Sequence, residues 1–251
     1  SGELGYYRVA YQGDLLQRLF RSTAALSLPE LVGLLDDVGA LAGNGTLPLG
    51  EALALVPALA DDPRREVVQR ALSFASDLRE HIVTDALRPN YGRFVQKLFA
   101  KRAHALGWST KTFDDEDTRL LRSRLLFLVA TEGMEPALRT EALGLVHRWL
   151  ADKRAVDGDV IGAALATAAR TGDRALFSRL QKEARRSKER RDRQRLLVAL
   201  GQFADPALAR EAAQMALSDE FDPRESISIV WAQIEWPTTR PVAWEFVKRN
   251  F

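Results

Sequence analysis

The chain has three histidines, at positions 81, 104 and 147, and no cysteine. Protein zinc sites draw on imidazole, thiolate and carboxylate, usually with two ligands close in sequence to fix the geometry. Here the histidines lie 23 and 43 residues apart and no His-Glu-x-x-His occurs, so no helix offers two imidazoles to one ion. His81 and Asp85 are spaced i, i+4, which suits a ligand pair and equally a solvated polar pair on one helix face. Gly-x-Ser-x-Gly, Walker-type and dinucleotide-type glycine loops are absent, and Gly43-Asn44-Gly45 reads as a turn between helices. The expectation is that this chain contributes no catalytic residue, no metal ligand and no cofactor site.

The densest charge lies in Lys182-Glu183-Ala184-Arg185-Arg186-Ser187-Lys188-Glu189-Arg190-Arg191-Asp192-Arg193-Gln194-Arg195. A nucleic-acid surface would pair uninterrupted positive charge with stacking aromatics. Acids are interspersed here and no aromatic falls within the run, so it reads as a junction between two helices laced by i, i+3 and i, i+4 ion pairs. Trp108, Trp149, Trp231, Trp236 and Trp244 fall on helix stripes that predict core or inter-helix packing, although Trp236 precedes Pro237 in a loop that can expose it.

Composition sets the frame for these residues. The 251 residues are 46% hydrophobic and 28% charged, with 36 basic against 34 acidic groups. That is globular material with enough apolar surface for a core, and a balance that does not call for a nucleic-acid partner. The absence of cysteine excludes disulfides and thiolate chemistry. The longest apolar run, Ala52 to Ala60, is broken by Pro57 and falls well short of the roughly 20 residues a spanning helix needs, so no membrane partner is expected. Composition does not settle the compartment, which stays open between bacterial cytoplasm and periplasm.

Gly5-Tyr6-Tyr7-Arg8-Val9-Ala10-Tyr11 is aromatic-rich and reads as one β-strand, for which the rest of the chain offers no pairing partner. Residues 1–12 are therefore expected to be the last strand of a preceding domain, and residues 13–251 a helical domain. The period becomes helical after Tyr11. Ser27-Leu28-Pro29-Glu30 forms a capping box ahead of the stripe Leu31, Leu34, Leu35, Val38 and Leu41. Asp62-Pro63 opens another helix, with Val68, Ala71, Leu72, Ala75 and Ile82 on one face. Further starts fall near Pro48, Pro89, Asp117, Pro136, Asp157, Asp173, Glu189, Pro206, Arg224 and Arg240, with Thr110 to Asp117 as a surface loop. Ala137-Leu138, Ala175-Leu176 and Ala207-Leu208 each come after a turn, 38 and 32 residues apart, the length of a helix pair. The predicted fold is all-α, an α-solenoid of antiparallel pairs like HEAT or armadillo arrays, preceded by one residual strand.

Several segments together resemble one family. The opening strand is similar to the one that ends the β-sandwich domain of M1-family zinc aminopeptidases. The rest of the chain resembles their C-terminal helical domain: Leu26-Ser27, Leu34-Leu35-Asp36-Asp37 and Ala40-Leu41-Ala42 at its start, then Arg195-Leu196-Leu197, Ala199-Leu200-Gly201, Asp205-Pro206 and Leu217-Ser218. Ala243-Trp244-Glu245-Phe246-Val247-Lys248-Arg249-Asn250-Phe251 is similar to the family's A-W-x-F-V-K-x-N-W. The resemblance covers essentially the whole chain and implies a pattern continuing past Phe251. It departs at Asp159-Val160-Ile161 and at Asp222-Pro223-Arg224-Glu225, where the family has Asp-Leu-Arg and Arg-x-Gln-Asp. Gly133-Met134-Glu135-Pro136 is only a superficial match to the exopeptidase motif.

The resemblance implies a parent enzyme that removes N-terminal residues from peptides with zinc held in a catalytic domain outside this chain. The partners it implies are peptide substrate and the preceding catalytic and β-sandwich domains. The helical domain would cap the active-site chamber and contribute to peptide binding and size selection, with no catalysis of its own. Arg224 and Glu225, at the family's Arg-x-Gln-Asp segment, are the candidate substrate contacts; the alternative for them is a solvated helix N-terminus. The alternative for the chain is a free-standing HEAT-like scaffold that binds a peptide or protein.

Overall fold

A computed structural model describes residues 8–112 and 114–250, apart from the side chains of Glu80 and His81. The expected strand falls largely outside the described residues. Its described part, Arg8 to Tyr11, has no regular secondary structure, and the Tyr11 hydroxyl donates to Asp37 Oδ2 at 2.9 Å. The chain divides into two compact units: residues 1–87 with 97–99, and residues 88–96 with 100–251.

The first unit contains α1 (Leu15–Arg21), α2 (Leu28–Gly43), α3 (Leu49–Ala60) and α4 (Arg65–His81). The capping box forms at the head of α2, with the Ser27 amide donating to Glu30 Oε2 at 3.0 Å. The whole predicted stripe from Leu31 to Leu41 is buried, and so are Val68, Ala71, Leu72 and Ala75 of α4. Ile82 departs from the expectation. It lies past the end of α4 and is 47% exposed. Pro57 sits inside α3, which continues to Ala60 because Val56 and Leu59 on either side of it are buried.

The second unit is built from α5 (Arg88–Leu106, except 97–99), α6 (Glu116–Thr131), α7 (Pro136–Ala151), α8 (Gly158–Arg170), α9 (Arg174–Arg186), α10 (Arg190–Gly201), α11 (Pro206–Met215), α12 (Pro223–Ile234) and α13 (Arg240–Asn250). Helices α6, α8, α10 and α12 pack side by side as one layer. The intervening helices cover its other side: α7 packs on α6 and α8, α9 on α10, α11 on α10 and α12, and α13 on α11 and α12. This is the all-α, solenoid-like stack of helix pairs that the sequence predicts.

The recurrent Ala-Leu pairs start the covering helices α7, α9 and α11, and Leu138, Leu176 and Leu208 are each buried. Aspartates punctuate the starts. Asp115, Asp157, Asp173, Asp205 and Asp222 each accept a hydrogen bond from a first-turn amide of α6, α8, α9, α11 and α12, satisfying donors that the helix leaves free.

Two glycines permit close approaches. A Cβ on Gly201 at the end of α10 would overlap the Ile229 carbonyl oxygen of α12, so only a glycine lets these two backbones meet. At the α6–α7 turn, a Cβ on Gly133 would lie 2.5 Å from the Val129 carbonyl oxygen, and Met134 comes next with φ 54°.

The C-terminal edge of the layer is closed by Trp236. Its ring lies 3.8 Å beneath the Arg170 guanidinium, its Nε1 donates to Gln202 Oε1 at 2.6 Å, and Phe127 meets it edge-on. Trp236 is thus buried, because this arginine and glutamine cover a loop that the sequence left open to solvent. Trp108 and Trp149 are in the core as expected. Trp231 and Trp244 are not: they are 63% and 57% exposed, on sides of α12 and α13 that no described helix covers. The segment expected as a surface loop is tied down. Arg122 is fully buried, donates to the Gly107 carbonyl and pairs with Asp114, while Thr110 Oγ1 donates to Asp157 Oδ2 at 2.7 Å.

Candidate functional site

The parallel course of α8, α10 and α12 brings their N-termini together around an open groove of about 880 Å³. Small residues of α8, Gly158 and Gly162, form its floor. Arg190, Arg191, Gln194 and Arg195 of α10 and Arg224 of α12 line it, against the two carboxylates Asp159 and Glu189.

Arg224 and Glu225 are neighbours in sequence with different surroundings. The Arg224 side chain is 83% exposed on the groove and folds back onto the α12 cap, donating from Nη2 to Asp222 Oδ2 at 2.6 Å. That hydrogen bond, with the Arg224 amide, lowers the Asp222 carboxyl to about 2. Glu225 points the other way and is buried. It accepts from Arg193 Nε at 2.7 Å and Nη2 at 3.1 Å, and Arg190 Nε stands 3.1 Å from Oε1. The two-pronged hydrogen bond from Arg193 holds its carboxyl below the usual range.

The remaining arginines are engaged to different degrees. Arg195 donates to Asp192 Oδ1 at 2.9 Å and to the Gly158 carbonyl at 2.7 Å, which ties α10 to the head of α8. Arg191 is exposed on the groove and makes no ion pair among the described residues. Helix α10 differs from its layer neighbours in its cap, since Glu189 makes no side-chain hydrogen bond to the first-turn amides.

The charge-dense run 182–195 is the α9–α10 junction that the sequence predicts, but most of its ion pairs reach residues far away in sequence. Arg185 pairs with Glu220 and Arg193 with Glu225, and only Arg195–Asp192 has the i, i+3 spacing. The groove formed by Arg190, Arg191 and Arg195 was therefore hidden within a run whose local spacing reads as self-neutralising. Residues 191, 194 and 195 do share one helix face, and this spacing is the signal that reveals the groove.

His104 and His147 have separate surroundings. His104 Nε2 lies 3.7 Å from Glu135, His147 lines a separate groove beside α9, and the His81 side chain, with the expected His81–Asp85 pairing, lies outside the described residues. No group of three potential metal ligands occurs among the described residues. No described helix is long and apolar enough to cross a membrane.

A two-layer stack of helix pairs with an arginine-lined end defines a class of α-solenoid domain. The family model described as the ERAP1-like C-terminal domain matches residues 1–251, and the chain belongs to that family. It is 25% identical over 99% of its length to Aminopeptidase M1-A of Oryza sativa subsp. japonica, covering 30% of that protein. It is also 25% identical, again over 99% of its length, to Aminopeptidase M1 of Arabidopsis thaliana, covering 29%. Puromycin-sensitive aminopeptidase of Caenorhabditis elegans is 22% identical over 83% of the chain, covering 22% of that protein. The chain thus spans under a third of the length of these curated relatives, and corresponds to the C-terminal domain of M1 aminopeptidases.

Proposed function

We propose that this chain is the non-catalytic C-terminal domain of a zinc aminopeptidase, where it covers the active-site chamber and holds the distal part of peptide substrates. The observation that carries this reading is the groove across the heads of α8, α10 and α12, an open, polar, arginine-lined surface in a chain of this family. A groove of that kind suits an extended peptide, whose main-chain carbonyls accept hydrogen bonds from guanidinium groups whatever the sequence. In this reading the zinc and the catalytic residues belong to other domains of the same polypeptide, and long peptides gain contacts that short ones cannot reach. Arg224 is the direct substrate contact. Glu225 acts from beneath, by fixing Arg190 and Arg193.

Binding of fluorescein-labelled peptides to this chain tests the reading. A decapeptide is expected to bind and a dipeptide not, and Arg224→Ala should weaken the decapeptide at least threefold. Equal affinity for both lengths, or none for either, overturns it.

A further inference from the structure

We infer that the groove selects peptides carrying an acidic side chain, with Arg191 as the group that takes the carboxylate and Trp231, on the same face of α12 as Arg224, as a shelf for an apolar side chain of the same peptide. The inference rests on the reading of the groove as a peptide site and adds its selectivity.

Arg191 is distinguished by what it lacks. Arg224 is held by Asp222, Arg195 by Asp192 and Gly158, and Arg190 and Arg193 by Glu225. Arg191 lines the same groove with no acidic partner among the described residues. An incoming carboxylate can therefore pair with it without displacing an existing partner. Of the four arginines in the groove lining, Arg191 is the one without an acidic partner among the described residues, so an anion is taken at that point. The groove is open rather than a blind pocket, so a carboxylate on a chain passing across it fits better than a chain terminus, and the acidic side chain is the source we assign.

Trp231 supplies the second point. It lies seven residues after Arg224 on α12, so both project from one face, about 10 Å apart along the axis. An extended peptide covers that distance in about three residues. Trp231 is the most exposed of the large apolar side chains in the described residues, at 63%. An aromatic face so placed covers an apolar side chain at little entropic cost.

The test is equilibrium binding to the intact chain of three decapeptides that differ at residue X and at the C-terminus and carry leucines at several positions on either side of X. In the first X is Glu and the C-terminus is amidated. In the second X is Gln and the C-terminus is amidated. In the third X is Gln and the C-terminus is free. The first is expected to bind about fivefold more tightly than the second, a preference that shrinks at high salt. Arg191→Gln should abolish the preference. Arg224→Gln should lower both affinities while leaving it in place, and Arg186→Gln, outside the groove, should change neither. Trp231→Ala should weaken the first peptide severalfold and Trp244→Ala should not. Both substituted side chains at 191 and 231 are exposed, so folding is not at stake. Equal binding of the first two peptides, or a Glu preference that survives Arg191→Gln, overturns the inference while the peptide-site reading stands. Tight binding of the third peptide assigns the carboxylate to the chain terminus and also overturns it. Binding of none of the three overturns both.

Discussion

Arg193 and Glu225 form a two-pronged ion pair between α10 and α12, with Nε–Oε2 2.7 Å and Nη2–Oε1 3.1 Å, and the glutamate is only 3% exposed. Arg193 donates in addition to the Ser187 carbonyl at 3.0 Å, so one guanidinium joins the turn before α10, α10 itself and the head of α12. This pair holds the wall from which the groove arginines project.

Removing the buried partner should be costly. Glu225→Gln is expected to destabilise the chain by about 2 kcal/mol, because Arg193 loses its counter-charge at a largely buried position. Arg224→Ala, at the preceding residue and solvent-exposed, should change stability by under about 0.5 kcal/mol. Urea unfolding of the two variants measures the contrast, and similar losses for both would mean that Glu225 is not the structural member.

Asp222 and three further acids at helix starts should give stability an acid limb. Asp222 has a folded pKa of about 2 against an ordinary 3.8, and Asp115, Asp157 and Glu225 shift in the same direction. A depressed folded pKa means that the unfolded chain takes up protons first as the solution is acidified. The Asp222 contribution is therefore complete above about pH 4 and is lost as the pH falls towards 2. Asp222→Asn keeps an N-cap acceptor but cannot titrate. The fall in Tm between pH 5 and 2 should be shallower in this variant than in the parent, as read by circular dichroism.

Glycine substitutions should move stability in opposite directions within one layer. Gly201→Ala drives a methyl group into the Ile229 carbonyl and is expected to cost about 2–3 kcal/mol. Gly162→Ala in the middle of α8 meets no atom within 4 Å and should stabilise by about 0.5–1 kcal/mol through helix propensity. Thermal melts of the two single variants check the pair.

Much of this fold was legible because helix starts are marked by local chemistry. Ser27 with Glu30, and aspartates at 157, 173 and 205, announce their helices within four residues, and the Ala-Leu recurrence picks out the covering helix of each pair. The groove was less legible. Its lining comes from three helices whose order in the layer is set by distant contacts, and the arginines that reach it share a sequence run with those that pair elsewhere. Glu225 and Arg193 are 32 residues apart, so no local pattern reveals that one occupies the other. Trp231 and Trp236 exchanged their expected environments for a similar reason. Arg170 and Gln202, far away in sequence, bury the loop tryptophan, while nothing described covers the helical one.

The contact at Gly201 also has a mechanical side. With the Ile229 carbonyl in the space a side chain would fill, and the Arg193–Glu225 pair at the other end, α10 and α12 are pinned at both ends and should travel as a single stiff plank. The joint between α8 and α10 is lighter at the groove, where Arg195 reaches a main-chain carbonyl at Gly158. Any flexing of this unit should therefore fall on the α8 side of the groove, so that its width is set by the swing of one wall against a fixed one.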